Sequence, residues 1–345
     1  MRERSGPCGA QQVGTAGRGG AAGAGLAVLA AGLGTLCAAL VALAAAEPPL
    51  PPPGEVVVWA ADRDGARVHG LDRDLRLARR IAVDWPLDVE PAHDGGLWVL
   101  RSAAGTSSST HRLDRFDAHG LLLTELWLEQ GADLDVLGSG EEALVVERRS
   151  GAPTRLLRVR TEGSLFPVLE RDALRCVLGE RETAVVGAAD GTLLRVHAQT
   201  GAVQASASLG GSLADLAPGP AVGEVWVLDD AGPARLLLLD AGLGVRWSVT
   251  LPRPAGHLAP VPGAERVWIA STSAPCAARY GPGGALEVER CGLPLPGLDR
   301  ALAWREGALL AAGGAILRLD RAGELAPGQG GFELVVDLAP RARLR

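Results

Sequence analysis

The 345-residue sequence contains no lysine and no asparagine, and all 34 of its basic residues are arginine. Methionine and tyrosine occur once each and phenylalanine three times, against 47 glycines and 23 prolines. Each shortage removes a chemistry. Without lysine there is no amine nucleophile, no Schiff-base anchor for pyridoxal phosphate and no Walker-type phosphate loop. The bias towards Ala, Gly, Arg, Pro and Leu is what GC-rich codons produce, so the arginines alone imply nothing about guanidinium chemistry. A net charge of −6 argues against a general nucleic-acid binder, which needs a basic face to neutralise phosphates. Also missing are a Gly-x-Ser-x-Gly elbow, a His-Glu-x-x-His helix and a Cys-x-x-Cys pair. The six histidines, His69, His93, His111, His119, His197 and His257, stand singly.

What is present begins with an apolar N-terminal run. Arg2, Arg4 and Arg18 precede 24–46, which carries no charge and no strong polar group beyond Thr35. The small residues Ala44, Ala45 and Ala46 fit an export-signal cleavage site, and the run is also long enough for a membrane anchor. Both readings expect residues 1–46 to be a signal peptide or anchor, 47–54 a proline-rich linker, and the rest of the chain exported to the periplasm or outside the cell. Contact with a membrane is expected only through this segment.

Beyond the linker the hydrophobic content, 47% of the whole sequence, suffices for a sizeable core and is arranged in repeats. The centres of successive apolar runs fall at Trp59, Trp98, Val145, Val185, Trp226, Trp268 and Leu310, at steps of 39, 47, 40, 41, 42 and 42 residues. Runs such as Leu97-Trp98-Val99-Leu100 and Val225-Trp226-Val227-Leu228 are short and rich in β-branched or aromatic residues, separated by Gly and Asp turns. They predict strands, several per period, and a period near 40 of this kind predicts an all-β propeller. Seven markers predict seven blades; the short, glycine-rich stretch before Asp337 leaves six blades with an irregular terminus as the alternative.

Ten or so residues before each marker lies a second short run, holding Asp88, Asp135, Arg175, Asp215, His257, and Asp299 with Arg300 in turn. These runs are expected to form the inner strands around the axis. The first repeat lacks one, but Asp337-Leu338-Ala339-Pro340 repeats Asp215-Leu216-Ala217-Pro218. The C-terminus is therefore expected to supply the first blade's inner strand and close the ring.

Gly95-Gly96-Leu97-Trp98-Val99 after Pro86-Leu87-Asp88-Val89 resembles NHL-type propeller repeats. Thr192-Leu193-Leu194-Arg195-Val196 running into Thr200-Gly201-Ala202-Val203 is similar to quinoprotein-type repeats. The resemblance covers residues 55–340 and implies the propeller fold, within families that include protein-binding scaffolds, lactonases and dehydrogenases. The lactonase-type members hold a divalent ion near the axis through carboxylates and Asn side chains, and asparagine is absent here.

Asp88, Asp135, Arg175, Asp215, His257, Asp299, Arg300 and Asp337 are the ligand-binding candidates, because the inner strands bring residues of different repeats to one axis. Their bland reading is a wet, charge-paired channel. A second group belongs to the rim: Arg148, Arg149, Asp229 and Asp230, with Ser271–Ser273 and the Ser/Thr tract from Ser102 to Thr110, whose extra length explains the step of 47. Asp62-Arg63-Asp64-Gly65 fits an ordinary Asp-Gly turn better than a calcium loop, which needs acids at Ala60 and Leu71. The recurrent tryptophans read as blade-to-blade packing. Cys276 and Cys291 flank Gly281-Pro282-Gly283-Gly284 at similar distances and are a candidate disulfide; Cys176 reads as a small core residue. No catalytic residue, metal ligand set or cofactor is identified, with calcium or a quinone left open. The expectation is a non-enzymatic scaffold binding a protein or glycan at the cell envelope, the alternative a hydrolase or quinone-dependent oxidoreductase with its site over the axis.

Overall fold

The computed structural model describes residues 55–103, 110–138, 140–230, 232–271, 273–294, 298, 300–305, 307–312, 314–330 and 335–340. The chain divides into two units, Met1–Pro49 and Leu50–Arg345, and every described residue belongs to the second. The expected export segment and linker, Asp299 and most of the Ser/Thr tract lie outside the described residues. Among the described residues no helix is long and apolar enough to cross a membrane.

The strands form seven four-stranded antiparallel sheets. Blade 1 holds β1 (Val58–Asp62), β2 (Arg67–Leu71) and β3 (Leu77–Ala82). Blade 2 holds β4 (Pro86–Pro91), β5 (Leu97–Ser102), β6 (His111–Phe116) and β7 (Leu122–Leu128). Blade 3 comprises β8 (Gln130–Leu137), β9 (Glu142–Arg149), β10 (Ala152–Arg160) and β11 (Leu165–Glu170). Blade 4 comprises β12 (Leu174–Gly179), β13 (Thr183–Ala188), β14 (Thr192–His197) and β15 (Val203–Ser208). Blade 5 follows with β16 (Leu213–Pro218), β17 (Val225–Asp229), β18 (Arg235–Leu239) and β19 (Val245–Thr250), and blade 6 with β20 (His257–Pro260), β21 (Val267–Ala270), β22 (Ala277–Tyr280) and β23 (Leu286–Arg290). Blade 7 contains β24 (Arg300–Trp304), β25 (Gly307–Ala312), β26 (Ala315–Leu319) and β27 (Leu325–Gly330). The last strand, β28 (Val335–Pro340), returns to pair antiparallel with β1, Val58 opposite Pro340, so the two ends of the propeller share one sheet. The ring has seven blades, and the C-terminal strand closes it.

The core explains why the sheets stand in a ring. A single blade is too thin to bury its own faces, so each apolar cluster is built from two neighbours. Trp59 of blade 1 packs among Val89, Val99 and Phe116 of blade 2, Trp98 of blade 2 among Leu134, Val145 and Leu157 of blade 3, and Trp226 of blade 5 among Leu258, Ile269 and Tyr280 of blade 6. Val58, Ala60 and Leu338 meet Leu309 and Ile316 across the closing seam between blades 7 and 1. Trp98, Trp226 and Trp268 are fully buried, so these rings serve packing and are inaccessible to a ligand.

Short polar devices fix the connections. In the turns from third to outer strand, one carboxylate oxygen of Asp72, Asp117, Asp240 or Asp320 accepts the backbone N–H groups two and four residues on, which shapes the turn without help from other strands. Arginines then tie a blade to the next blade's turn: Arg79 donates to the Ala118 carbonyl, Arg195 to those of Ala241 and Gly223, and Arg279 to that of Arg321. In the first blade Gly65 N–H donates to Asp62 at 3.2 Å, an Asp-Gly turn.

Candidate functional site at the propeller axis

Strand register decides which inner-strand residues share a level around the axis. Asp88 lies opposite Leu100, two residues past Trp98; Asp215 opposite Leu228, two past Trp226; His257 opposite Ala270, two past Trp268; and Asp337 opposite Ala61, two past Trp59. The same position is Asp133 in blade 3, opposite Val146; Cys176 in blade 4, opposite Gly187; and Arg300 in blade 7, opposite Ala311. One level of the channel is therefore Asp337, Asp88, Asp133, Cys176, Asp215, His257 and Arg300. Asp135 sits one step of the pleat further along, and Arg175 is an exposed neighbour of Cys176 whose guanidinium donates to Ser212 Oγ at 2.8 Å. Asp133 and Cys176 are the members that sequence reasoning passed over.

Three carboxylates at this level, those of Asp88, Asp133 and Asp215, share one task. Asp88 accepts Val89 N–H of its own strand at 3.0 Å and, with its other oxygen, Leu134 N–H of blade 3 at 3.2 Å. Asp133 accepts Val177 N–H of blade 4 at 2.7 Å. Asp215 accepts Leu216 N–H at 2.9 Å and Leu258 N–H of blade 6 at 2.8 Å. In each case the donor from the next blade is the residue just past the ring position there. Asp135 repeats the device one level away, accepting Val136 N–H and, from blade 4, Gly179 N–H, both at 2.7 Å. An inner strand has no further strand to pair with on its axial side, so its N–H groups need other acceptors, and these side chains supply them.

Arg300 balances the acids. Its guanidinium donates to His257 Nδ1 at 3.2 Å and stands 3.7 Å from Asp88, a residue of blade 2 reached from blade 7 past blade 1. Burial raises the Asp133 carboxyl to about 8; its bond from Val177 and the charge of Arg300 oppose the rise, while Asp215 and Asp135 add to it. Burial, helped by Arg300, pushes His257 down to about 3, which leaves the imidazole neutral and able to accept from the guanidinium. Burial also raises the Cys176 thiol well above its ordinary value, with Asp133 and Asp215 adding to the effect, so the sulfur is a poor nucleophile. Among the described residues no three His, Cys, Asp or Glu side chains are placed to hold a metal ion.

The rim candidates separate into two kinds. Asp229 is completely buried, accepting Ser212 N–H at 2.8 Å and the Arg235 guanidinium at 2.9 Å, so it pins the entry to β16. Glu147 repeats this in blade 3 with Glu129 N–H and Arg155. Arg149 donates to the Pro153 carbonyl at 2.8 Å and pairs with Glu170 at 3.1 Å, which holds its own hairpin. Arg148 and Asp230 are exposed. Ser271 Oγ donates to the Pro254 carbonyl at 2.8 Å and lies 3.4 Å from Ser273 Oγ. Cys276 and Cys291 are joined by a disulfide, and Cys176 is a buried free thiol.

No family model and no curated protein matches the chain. Among solved structures it is similar to a functionally unknown protein from Desulfotomaculum acetoxidans, with a TM-score of 0.66 and 13% identity over 83% of this chain and 99% of that one. It is also similar to BamB from Moraxella catarrhalis, with a TM-score of 0.55 and 17% identity over 82% of this chain and 85% of that one. At these identities the likeness is one of fold, and it supports the propeller architecture.

Proposed function

We propose that this chain is a protein-binding propeller of the cell envelope whose rim makes the contacts and whose axis is structural. The observation that carries this reading is the use of the inner-strand acids: Asp88, Asp133 and Asp215 are engaged with backbone N–H groups of the next blade. Groups committed to the frame are poorly suited to turn over a substrate. The apolar run at 24–46 supports a place outside the cytoplasm, and a neighbour described as BamB agrees with an envelope setting. The burial of Trp98, Trp226 and Trp268 removes the repeat's aromatic platform from reach of a sugar, which favours a protein partner over a glycan.

The test has two arms. Photo-crosslinkers placed at Arg148 and Asp230 in living cells are expected to trap one envelope protein, whereas the same probe on the opposite rim, at Glu162, is expected to trap none. Thermal melting with calcium and with a soluble quinone is expected to show no shift. A shift abolished by removing Asp88 and Asp215 together would instead favour a hydrolase or quinone-dependent oxidoreductase working over the axis, the reading to which the polar ring of Asp133, His257 and Arg300 would then belong.

A further inference from the structure

Every blade of a propeller ends in an outer strand with one unpaired edge, and such edges invite pairing with another chain unless something blunts them. Six of the seven here are blunted. β3 carries Arg79 and Arg80, β11 carries Pro167, β19 carries Arg246, β23 alternates charges, β27 contains proline and glycine, and β15 is made of small and polar residues after Val203. The outer strand of blade 2 differs. From Leu121 to Leu128 it reads LLLTELWL, without Pro or Gly and with one charge, Glu125, which is already paired with Arg112. Four of its six apolar side chains are exposed, Leu121 at 66%, Leu122 at 43%, Leu123 at 48% and Trp127 at 59%, while Leu126 and Leu128 pack towards blade 3. Among the described residues no strand pairs with its outer edge.

We propose that β7 is a dimerisation strand, two copies of the chain pairing their β7 edges antiparallel about a two-fold axis at Thr124. The sequence of the strand is complementary to itself in that register. Leu121 falls opposite Trp127 of the second copy, Leu122 opposite Leu126, and Thr124 opposite Thr124, each apolar pair occurring twice. Glu125 falls opposite Leu123, so no two carboxylates meet, as they would in a register centred on Glu125. The two four-stranded blades then become one eight-stranded sheet. Because β7 is the one unblunted edge among the seven outer strands described, the pairing closes at two and does not propagate into a filament. The occupant is a second copy because the strand already carries its own matching partner in that register, apolar residues opposing apolar residues with no like charges opposed. This pairing lies on the outer wall and goes beyond the rim-binding reading, on which it does not depend.

Sedimentation equilibrium of the full chain from micromolar to millimolar concentration is expected to show a monomer–dimer equilibrium. The double variant Leu122→Lys, Trp127→Lys is expected to weaken it at least about tenfold, since four apolar pairs are lost across the two-fold axis. Thr124→Cys is expected to yield on oxidation a covalent dimer whose linked peptide joins position 124 to position 124, which separates pairing through β7 from association through any other part of the chain. A monomer throughout the range overturns the proposal. So does a dimer that survives the double variant, or one whose Thr124→Cys form yields no 124–124 link.

Discussion

Removing the Asp88 side chain would take away the carboxylate that accepts two backbone donors, Val89 N–H and Leu134 N–H, one on each of two neighbouring blades. Asp88→Ala is therefore expected to lower the unfolding free energy by about 2–4 kcal/mol, read from urea denaturation. Asp230→Ala, at an exposed site, should stay within about 0.5 kcal/mol. The axial residues also set how stability responds to acid and base. Asp133, held to about 8, keeps a proton in the fold that the open chain loses near pH 4, so its contribution is full below that point and is lost as pH rises to about 8. His257, held near 3, stays neutral where the open chain binds a proton, so its contribution is present above about pH 6.5 and is lost as pH falls towards 3. The two slopes oppose each other between about pH 4 and 6.5 and leave only the Asp133 term above it. Relative to the wild type, Asp133→Asn should flatten the decline in melting temperature between pH 6.5 and 8, and His257→Gln should flatten the decline below pH 6. A decline that survives either change would assign it to other groups.

Strands carry the next level of the design, and here packing is the limit. A Cβ on Gly70 would lie 2.9 Å from the Trp59 ring and 2.8 Å from Val56, so the glycine of β2 is required for space although its backbone is ordinary. Gly70→Ala is expected to cost about 1–3 kcal/mol by overpacking the seam between blades 1 and 2, measurable by denaturation. Trp226→Ala should cost about 3–5 kcal/mol by leaving a void between blades 5 and 6. The Cys276–Cys291 disulfide bridges β22 and β23 near their ends and closes a loop of sequence separation 15. Its removal by Cys276→Ser with Cys291→Ser should cost about 3 kcal/mol on the chain-entropy account, seen as a lower melting temperature that reductant no longer changes. The elements were legible in the sequence, because short apolar runs between Gly and Asp turns have few other homes. Register was less so. Blade 3 presents Asp133 and Asp135 two residues apart, and the Leu-Asp-Val likeness to blade 2 points to Asp135, whereas pairing with β9 puts Asp133 at the level of Asp88. The connection from inner to second strand varies in length from blade to blade, and the pairing slips just before Asp88, Asp133, Cys176 and Asp215. One residue of slip turns a side chain to the opposite face, which is why Arg175 is outside the ring and Cys176 within it. Nor did the sequence show that the acids hold neighbouring blades together, since that depends on N–H groups contributed from more than forty residues away.

At the level of the whole molecule the circle matters more than any blade. Residues 335–340 supply the inner strand of blade 1 and, through Leu338, part of the core between blades 7 and 1. A chain ending at 334 is expected to lose cooperative unfolding, with a broadened transition and greater proteolysis in blades 1 and 7 than in the chain that retains β28. Closure was legible from the match between Asp337-Leu338-Ala339-Pro340 and Asp215-Leu216-Ala217-Pro218, a likeness that depends on composition at one short segment and needs no knowledge of register. The same arrangement dictates the order in which the protein can be finished. Strand β1 is the first strand of the ring to be synthesised and its mate, β28, the last, so until β28 has emerged from the ribosome the newborn ring stands ajar with an adhesive margin at each end. Anything that shelters the nascent chain has to persist from the synthesis of β1 to that of β28 before the two margins can meet.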